Sequence, residues 1–221
     1  MTPSTTFRFL SDLKKHNDRS WMEQHKKEYL QSRDTMLAFV KDLIRETGRF
    51  DPDILLLEPA KCMFRINRDT RFSANKDPYK TNMGAFMNKG GKKIQTAGYY
   101  VHIEPGASFI AGGLYMPMPE QLSAIRQEID YNLDQWIAIL KQKSFRNYFP
   151  DGLDKEHTLS RSPKGYDAEN PAIEFLKLKS FTVSHPVSDS FFQKSGAVSD
   201  TVAIFKSMQP MIRFLNQALD N

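Results

Sequence analysis

Cysteine is almost absent from this sequence. Cys62 is the only cysteine among 221 residues, so the chain cannot form an internal disulfide. An unpaired thiol is typical of a reducing compartment, and we therefore expect a cytoplasmic protein. Cys62 stands in an apolar stretch, which favours a buried, unreactive thiol over a nucleophile.

Long hydrophobic runs are also absent. The longest strongly apolar run extends from Ile54 to Leu57, whereas a membrane-spanning helix needs about 20 such residues. The N-terminal residues lack the basic segment and apolar core of a signal peptide. We therefore expect a soluble protein with no membrane partner. The chain length favours one domain over residues 1–221, and nothing in the sequence specifies an oligomeric state.

Several catalytic and cofactor signatures are missing as well. The five histidines do not have the spacing of metal ligands, and no calcium-binding loop is present. The run Gly90–Lys93 lacks the first glycine and the final Ser or Thr of a P-loop, and Gly112–Gly113 lacks the remaining glycine of a dinucleotide site. There is no Gly-x-Ser-x-Gly elbow. We therefore expect neither a metal nor a cofactor.

Positive charge is present but unevenly distributed. The chain has a net charge of +5, and residues 61–93 contain nine Lys or Arg against two Asp. The rest of the chain is slightly acidic, so the asymmetry indicates an anionic partner. The nine basic residues are Lys61, Arg65, Arg68, Arg71, Lys76, Lys80, Lys89, Lys92 and Lys93.

Helical patterns occupy both ends of the chain. Apolar residues recur at helical spacing in the first part of the sequence, after Pro119 and again over 197–219. Asn17-Asp18 is predicted to cap a helix before Trp21, and Gly48 to end the N-terminal helical region. Residues 144–168 show no regular pattern, and we expect them to be irregular.

The middle of the chain is typical of strands. Turn residues at 88–91 and 104–106 predict that consecutive strands form hairpins. We therefore expect an α+β fold, with a central, mostly antiparallel sheet from residues 54–116 flanked by the N- and C-terminal helices. The predicted strands are 60–66, 81–87, 97–104, 108–115 and, later in the chain, 179–183.

The stretch from Arg65 to Thr81 concentrates groups that bind anions. Arg65 is predicted to lie on a strand, and Arg68 and Arg71 in the loop that follows. Because guanidinium groups bind carboxylate and phosphate with two hydrogen bonds, we predict a site for a small molecule that bears such a group. Enzymatic activity on that molecule is compatible with this prediction. The candidate ligand-binding residues are Arg65, Arg68, Asp69, Arg71, Lys76, Tyr79 and Lys80.

Two other interpretations of the same stretch remain open. In the first, Asp69 forms an ion pair with a neighbouring cation, and the loop belongs to a structural or protein-interaction module without a ligand. In the second, the basic segment binds nucleic acid, because aromatic residues that stack on bases alternate with the cations. These aromatic residues are Phe64, Phe72, Tyr79, Phe86, Tyr99 and Tyr100.

A second group of candidates lies on one predicted strand. Side chains alternate along a strand, so Tyr100, His102 and Glu104 share a face. A histidine beside a glutamate can act as a base and its orienting group, which makes His102 and Tyr100 the candidate catalytic residues. A hydrogen-bonded structural histidine is the alternative interpretation.

Motifs along nearly the whole chain resemble a known family signature. They resemble the conserved hypothetical bacterial family called domain of unknown function 2461, although Met22 stands where that family often has Phe. The resemblance implies no particular activity, so the functional argument depends on the residues themselves. The motifs are Phe9-Leu10 with Leu13, Asn17, Arg19 and Trp21, Phe64-Arg65-Ile66, Arg68-Asp69-Thr70-Arg71-Phe72-Ser73, Lys76-Asp77-Pro78-Tyr79-Lys80-Thr81, Gly98-Tyr99-Tyr100-Val101-His102-Ile103, Gly112-Gly113-Leu114-Tyr115-Met116-Pro117, Ile125-Arg126, Pro163-Lys164-Gly165-Tyr166 and Lys177-Leu178-Lys179-Ser180-Phe181.

Overall fold

The structure is a computed structural model that describes residues 4–91 and 94–220. None of the helices in this part of the chain is long and apolar enough to cross a membrane. The helices are α1 (Ser4–Lys15), α2 (Arg19–Gln24), α3 (Lys26–Thr47), α4 (Pro59–Cys62), α5 (Pro119–Tyr131), α6 (Leu133–Lys141), α7 (Lys143–Tyr148), α8 (Ile173–Leu176), α9 (Asp189–Gln193) and α10 (Ala197–Asp220). The strands are β1 (Met83–Asn88), β2 (Gly98–Ile103), β3 (Phe109–Leu114) and β4 (Phe181–Pro186).

The four strands form an antiparallel sheet in the order β1-β2-β3-β4. Phe86 of β1 lies opposite Tyr100 of β2, and Tyr100 lies opposite Ala111 of β3. Ala111 in turn lies opposite Ser184 of β4. These pairings confirm the predicted α+β fold. Three strands fall within the expected 54–116, whereas β4 reaches the free edge of β3 only after the chain has formed α5 to α8.

Helices cover one face of the sheet. Val101 and Ile110 are fully buried on that face, where α10 packs on β3 and α3 packs on β1. The approach of α10 depends on Gly112, because a Cβ atom there would lie 2.1 Å from the Sδ atom of Met208. Side chains alternate along a strand, so the face that carries Tyr100 is turned away from these helices.

Tyr99 anchors β2 to the residues that pack on the covered face of the sheet. Its ring centre lies 4.9 Å from that of Phe205 in α10, and its Oη atom donates a hydrogen bond of 2.7 Å to Oδ2 of Asp51. Burial, and then the charge of Asp51, raises the pKa of the Tyr99 phenol. The group therefore remains a neutral donor, and the alternate residue Tyr100 is held on the opposite face.

The N-terminal helices begin and end largely as predicted. Oδ1 of Asp18 accepts a hydrogen bond of 2.8 Å from the backbone N–H of Trp21, which caps α2. Gly48 is the C-terminal cap residue of α3. Leu10 and Leu13 of α1 are fully buried, so the apolar stripe read from the sequence belongs to the core.

The predicted strand at 60–66 is wrong. Pro59–Cys62 forms the single-turn helix α4, because its first residue is a proline, which is favoured at that helical position. The segment joins the sheet through an isolated bridge between Met63 and Ala85. Cys62 is buried, as its apolar surroundings indicated.

Two further differences concern the second half of the chain. Residues 144–168 were expected to be irregular, but they contain most of α7, whose Phe145 is fully buried. Helix α9 (Asp189–Gln193) was not predicted. Both helices are short, with little room for a periodic apolar pattern.

A substitution at Gly113 tests how closely β3 and β4 approach each other. It has a φ angle of +118°, and an added Cβ would lie 2.0 Å from the backbone O of Phe181. We expect Gly113→Ala to lower the free energy of unfolding by about 2–4 kcal/mol, because backbone strain and a backbone clash add. Gly152 also has a positive φ, of +75°, but a Cβ there meets nothing within 4 Å.

Urea unfolding of Gly113→Ala and Gly152→Ala is the measurement. The control variant should lose about 1 kcal/mol from backbone strain alone. Equal losses in the two variants would contradict the close approach of β3 and β4.

Candidate functional site

A groove with a volume of about 860 Å³ runs over the open face of the sheet. Ala111 and Gly113 of β3 are among the residues that line it, and Tyr100 and Ser184 line it from the strands on either side. Strand β3 thus presents Ala111 and Gly113 to the groove between Tyr100 of β2 and Ser184 of β4. We call this cavity the sheet groove.

Aromatic rings form one wall of the sheet groove. The ring centre of Tyr100 lies 6.1 Å from that of Phe64 and 5.7 Å from that of Phe109. The Nζ atom of Lys80 lies 5.6 Å from the centre of the Phe64 ring. Within the described residues, Lys80 is the only Lys or Arg that lines the groove. This wall is therefore apolar with a cation at its margin.

The opposite wall carries acidic and hydroxyl groups. Oδ2 of Asp154 accepts hydrogen bonds from Oγ1 of Thr182 at 2.8 Å and from Oγ of Ser184 at 3.0 Å. Near the end of the groove, Oη of Tyr115 lies 3.2 Å from Nε2 of His157. The two walls differ in charge, so an asymmetric ligand would bind in one orientation.

Three side chains form a hydrogen-bonded chain behind the aromatic wall. Oη of Tyr100 lies 2.9 Å from Nδ1 of His102, and Nε2 of His102 lies 3.0 Å from Oε2 of Glu104. Oγ1 of Thr81 donates a hydrogen bond of 2.7 Å to the other carboxylate oxygen. An ionised carboxylate accepts only, so Nε2 carries a proton and, in a neutral imidazole, Nδ1 accepts the Tyr100 proton. We call Tyr100, His102 and Glu104 the relay.

The environment of the relay raises the pKa of Tyr100 at one end and lowers the pKa of Glu104 at the other. Burial, and then the negative charge of Glu104, raises the pKa of Tyr100 to about 12. Burial alone would raise the pKa of Glu104, but hydrogen bonds from His102 and Thr81 outweigh it and lower that pKa. Near neutral pH the phenol is therefore protonated while the carboxylate is ionised.

Gly84 makes room for the relay. It lies opposite His102 in the sheet, and a Cβ atom at this position would lie 2.6 Å from Oη of Tyr100. Any side chain at 84 would therefore push the Tyr100 hydroxyl away from the imidazole. Phe109 covers the other side of the ring, since the Phe109 and His102 rings stack at 4.5 Å with an interplanar angle of 15°.

The predicted basic loop forms a hairpin over residues 66–80. The backbone N–H of Lys80 donates to the carbonyl of Ile66 at 2.8 Å, and that of Arg68 donates to the carbonyl of Pro78 at 2.9 Å. The side chain of Asn17 holds the base of this basic hairpin, because it accepts from the N–H of Tyr79 at 3.1 Å and donates to its carbonyl at 3.0 Å.

The side chains of the basic hairpin mainly bind one another. Arg71 donates to both carboxylate oxygens of Asp69, at 3.0 and 2.7 Å, and hydrogen bonds from Arg71 lower the pKa of that carboxyl group. Nζ of Lys76 donates to the carbonyl of Thr70 at 3.0 Å. Because these groups are exposed to solvent, such pairs stabilise the fold only weakly.

The predicted binding residues separate into two sets. Lys80 lines the sheet groove together with Tyr100, whereas the other six are not among the lining residues. Arg65 is exposed on a segment without strand structure. Nη2 of Arg68 lies 3.4 Å from Oγ of Ser73, at the limit of a hydrogen bond. The roles of all seven as ligand-binding residues stay predictions. Lys92 and Lys93, counted in the basic segment, lie outside the described residues.

Sequence reasoning missed the far wall of the groove. Asp154, Thr182 and Ser184 lie 61 residues or more beyond the basic segment, and no motif marks them. The predicted strand at 179–183 was the one available signal, since it implied a partner for the sheet. In the part of the chain that the structure describes, no cluster of three or more His, Cys, Asp or Glu side chains could hold a metal ion.

A substitution at Asn17 tests which contacts hold the basic hairpin in place. We expect Asn17→Ala to lower the free energy of unfolding by about 1–2 kcal/mol, because two partly buried hydrogen bonds to Tyr79 are lost. The matched control is Asp69→Asn, which removes an exposed ion pair within the hairpin and should leave stability unchanged. Denaturant titration distinguishes them, and a larger loss in Asp69→Asn would show that the ion pair holds the loop.

Comparison with known proteins identifies the family. The family model described as conserved hypothetical protein (DUF2461) matches residues 5–214, which is nearly the whole chain. Among curated proteins and among solved structures, the comparisons find no match. The match confirms the resemblance read from the motifs between Phe9 and Phe181. The chain therefore belongs to the DUF2461 family.

Proposed function

We propose that the sheet groove binds a small molecule with an apolar or aromatic body and a carboxylate or phosphate group. The observation that carries the proposal is a groove walled by aromatic rings with Lys80 at its margin. Its volume of about 860 Å³ falls within the range of about 300–1,000 Å³ that is typical of small-molecule sites. Such sites combine apolar walls with a few polar groups, as this groove does.

The body of the ligand would lie against the rings. Phe64 is 43% exposed although it packs edge-on against Tyr100, so part of its apolar surface is available to a ligand. Ala111 and Gly113 leave space between the walls, because neither has a side chain larger than a methyl group. A planar body placed there would contact Tyr100 and Phe109 through their ring faces or edges.

The anionic group would lie beside Lys80. A lysine ammonium binds phosphate or carboxylate as a compact point charge. Lys80 also closes the basic hairpin, whose Arg68 and Lys76 add positive charge to the same part of the molecule. Charge of one sign along one side raises the local concentration of an anionic ligand.

A second candidate function is nucleic-acid binding by the basic hairpin. Phe72 is 96% exposed, and the guanidinium carbon of Arg71 lies 5.8 Å from the centre of its ring. An exposed ring beside cations is the arrangement that stacks on a base while neighbouring charges meet phosphates. Tyr99, another of the aromatic residues expected to stack on bases, is fully buried and cannot take part.

Thermal unfolding in the presence of phenylacetate and of phenyl phosphate tests the groove. A ligand at about 100 times its dissociation constant adds about 2.7 kcal/mol of stability, which raises the midpoint of a chain this long by about 5–10 °C. We expect such a rise with at least one of the two anions, and little loss of it in moderate salt.

Ala111→Leu would fill the groove floor and should abolish the rise. Ala203→Leu, at an exposed position of α10, is the control and should retain it. Retention of the rise in Ala111→Leu would contradict binding in the groove. A silent result with both anions, together with a shift from a single-stranded oligonucleotide that Phe72→Ala removes, would favour the second candidate. Oligonucleotide affinity should then fall steeply with salt, by about 0.7–0.9 log units per phosphate contact per log unit.

A further inference from the structure

We propose that the sheet groove is an acid–base catalytic site in which Tyr100 passes a proton to an oxygen atom of the ligand. His102 and Glu104 are positioning residues that orient Tyr100 and restore its proton. The inference rests on the proposed function for the ligand that enters the groove, and it adds the chemistry performed there.

The relay has one end in the groove and the other behind it. Tyr100 lines the groove, whereas His102 and Glu104 are not among the lining residues. Their side chains are only 12% and 20% exposed. A proton that leaves Nδ1 of His102 along the hydrogen bond of 2.9 Å would therefore reach a ligand through the Tyr100 hydroxyl.

The charge state of His102 decides which way the Tyr100 proton points. With a neutral imidazole, the phenol donates to Nδ1 and offers its oxygen to the groove. With an imidazolium ion, Nδ1–H donates to the phenol oxygen, and the O–H bond of Tyr100 is free to point into the groove. Glu104 stabilises this second state, because its ionised carboxylate already accepts from Nε2.

In the transfer, the ligand oxygen gains one proton and His102 loses one, through two simultaneous steps that pass over the Tyr100 hydroxyl. The O–H bond of Tyr100 breaks as a bond forms between that proton and the ligand oxygen. At the same time the Nδ1–H bond of His102 breaks and its proton restores the Tyr100 hydroxyl. The imidazolium becomes a neutral imidazole, Glu104 stays ionised, and solvent later returns one proton to His102. A carbonyl, ester or phosphoester oxygen can accept such a proton.

The environment favours Tyr100 as an acid over Tyr100 as a nucleophile. A nucleophilic phenolate requires a lowered pKa, whereas burial raises the pKa of this phenol to about 12. The phenol is accordingly protonated at neutral pH and suited to donate. Gly84 supports the geometry, since a Cβ atom there would lie 2.6 Å from the hydroxyl oxygen.

Other charged groups near the relay lie on α1 and along the walls of the groove. Lys14 of α1 helps to lower the pKa of Glu104. Lys80 lines the near wall of the groove, Asp154 lines the far wall beyond β3, and Glu156 and His157 also line the groove. On β3 and β1, Phe109 and Gly84 face the imidazole without charge. The direct partners of His102 are therefore Tyr100 and Glu104.

Proton uptake on binding of phenylacetate is the test. A free carboxylic acid of this type titrates near pH 4, so it contributes no proton near pH 7.5. Calorimetry of phenylacetate binding to the full chain, in two buffers with different ionisation enthalpies, counts the protons taken up. We expect uptake of about one proton, because the anion favours the imidazolium state that releases the Tyr100 O–H.

Variants of the relay distinguish catalytic positioning from a structural role. His102→Gln should still fold but take up no proton, and Glu104→Gln should reduce the uptake, because the carboxylate that accepts from Nε2 is lost. Tyr100→Phe should weaken phenylacetate binding by about tenfold and remove the uptake, since the donor is missing. Tyr131→Phe, at a position 74% exposed on α5, should change neither quantity. Binding without uptake, or uptake retained in His102→Gln, would overturn the inference.

The ligand-free protein separates a failure of the relay from a failure of the groove. Nitrogen-15 NMR of the His102 ring should show the tautomer with its proton on Nε2 at about pH 8, as the Glu104 contact requires. The opposite tautomer would overturn the relay even if phenylacetate binds. Failure of both phenylacetate and phenyl phosphate to bind would count against the groove proposal, not the relay.

Discussion

The one-sided packing of the sheet is the constraint on which the rest of the structure depends. Tyr99, Val101 and Ile103 of β2 are buried under the helices, and the period of two along a strand then places Tyr100 and His102 on the other face. A shift of one residue in strand register would exchange the two sets and expose the apolar residues. The cost of that exposure keeps the relay on the open face.

Small residues let the open face hold both a cavity and a polar network. Ala111 and Gly113 keep the floor of the groove low, while Gly84 leaves space for the Tyr100 hydroxyl. Gly112, on the covered face, lets α10 approach β3 closely. Glycine carries an entropic cost in strands, so its presence at points of close approach indicates that space, not strand propensity, governs these positions. Gly84 and Gly113 therefore weaken their strands but leave the space that the relay and the groove need.

Charge and apolar surface are arranged in different parts of the same region. Much of the charge of the basic hairpin is neutralised by contacts within the hairpin, such as the ion pair of Asp69 and Arg71. Lys80, at the base of the hairpin, lines the groove. The groove itself is mostly apolar, with Asp154 on its far wall. Lys80 is only partly exposed, whereas Arg65 and Arg71 are exposed, so solvent screens its charge less than theirs.

Local sequence patterns alone determined the helical ends, the cap at Asp18, three hairpin strands and the shared face of Tyr100, His102 and Glu104, because these depend on spacing within one segment. Tertiary structure decided which distant segments pair in the sheet and which side chains meet in the groove. The segment expected to be a strand at 60–66 meets β1 at a single bridge, between Met63 and Ala85, since strand formation depends on neighbours more than on intrinsic preference. The return of β4 beside β3 brought Thr182, Ser184 and Asp154 to the groove. Pairing over such a separation is set by burial of the whole sheet, and no local pattern records it.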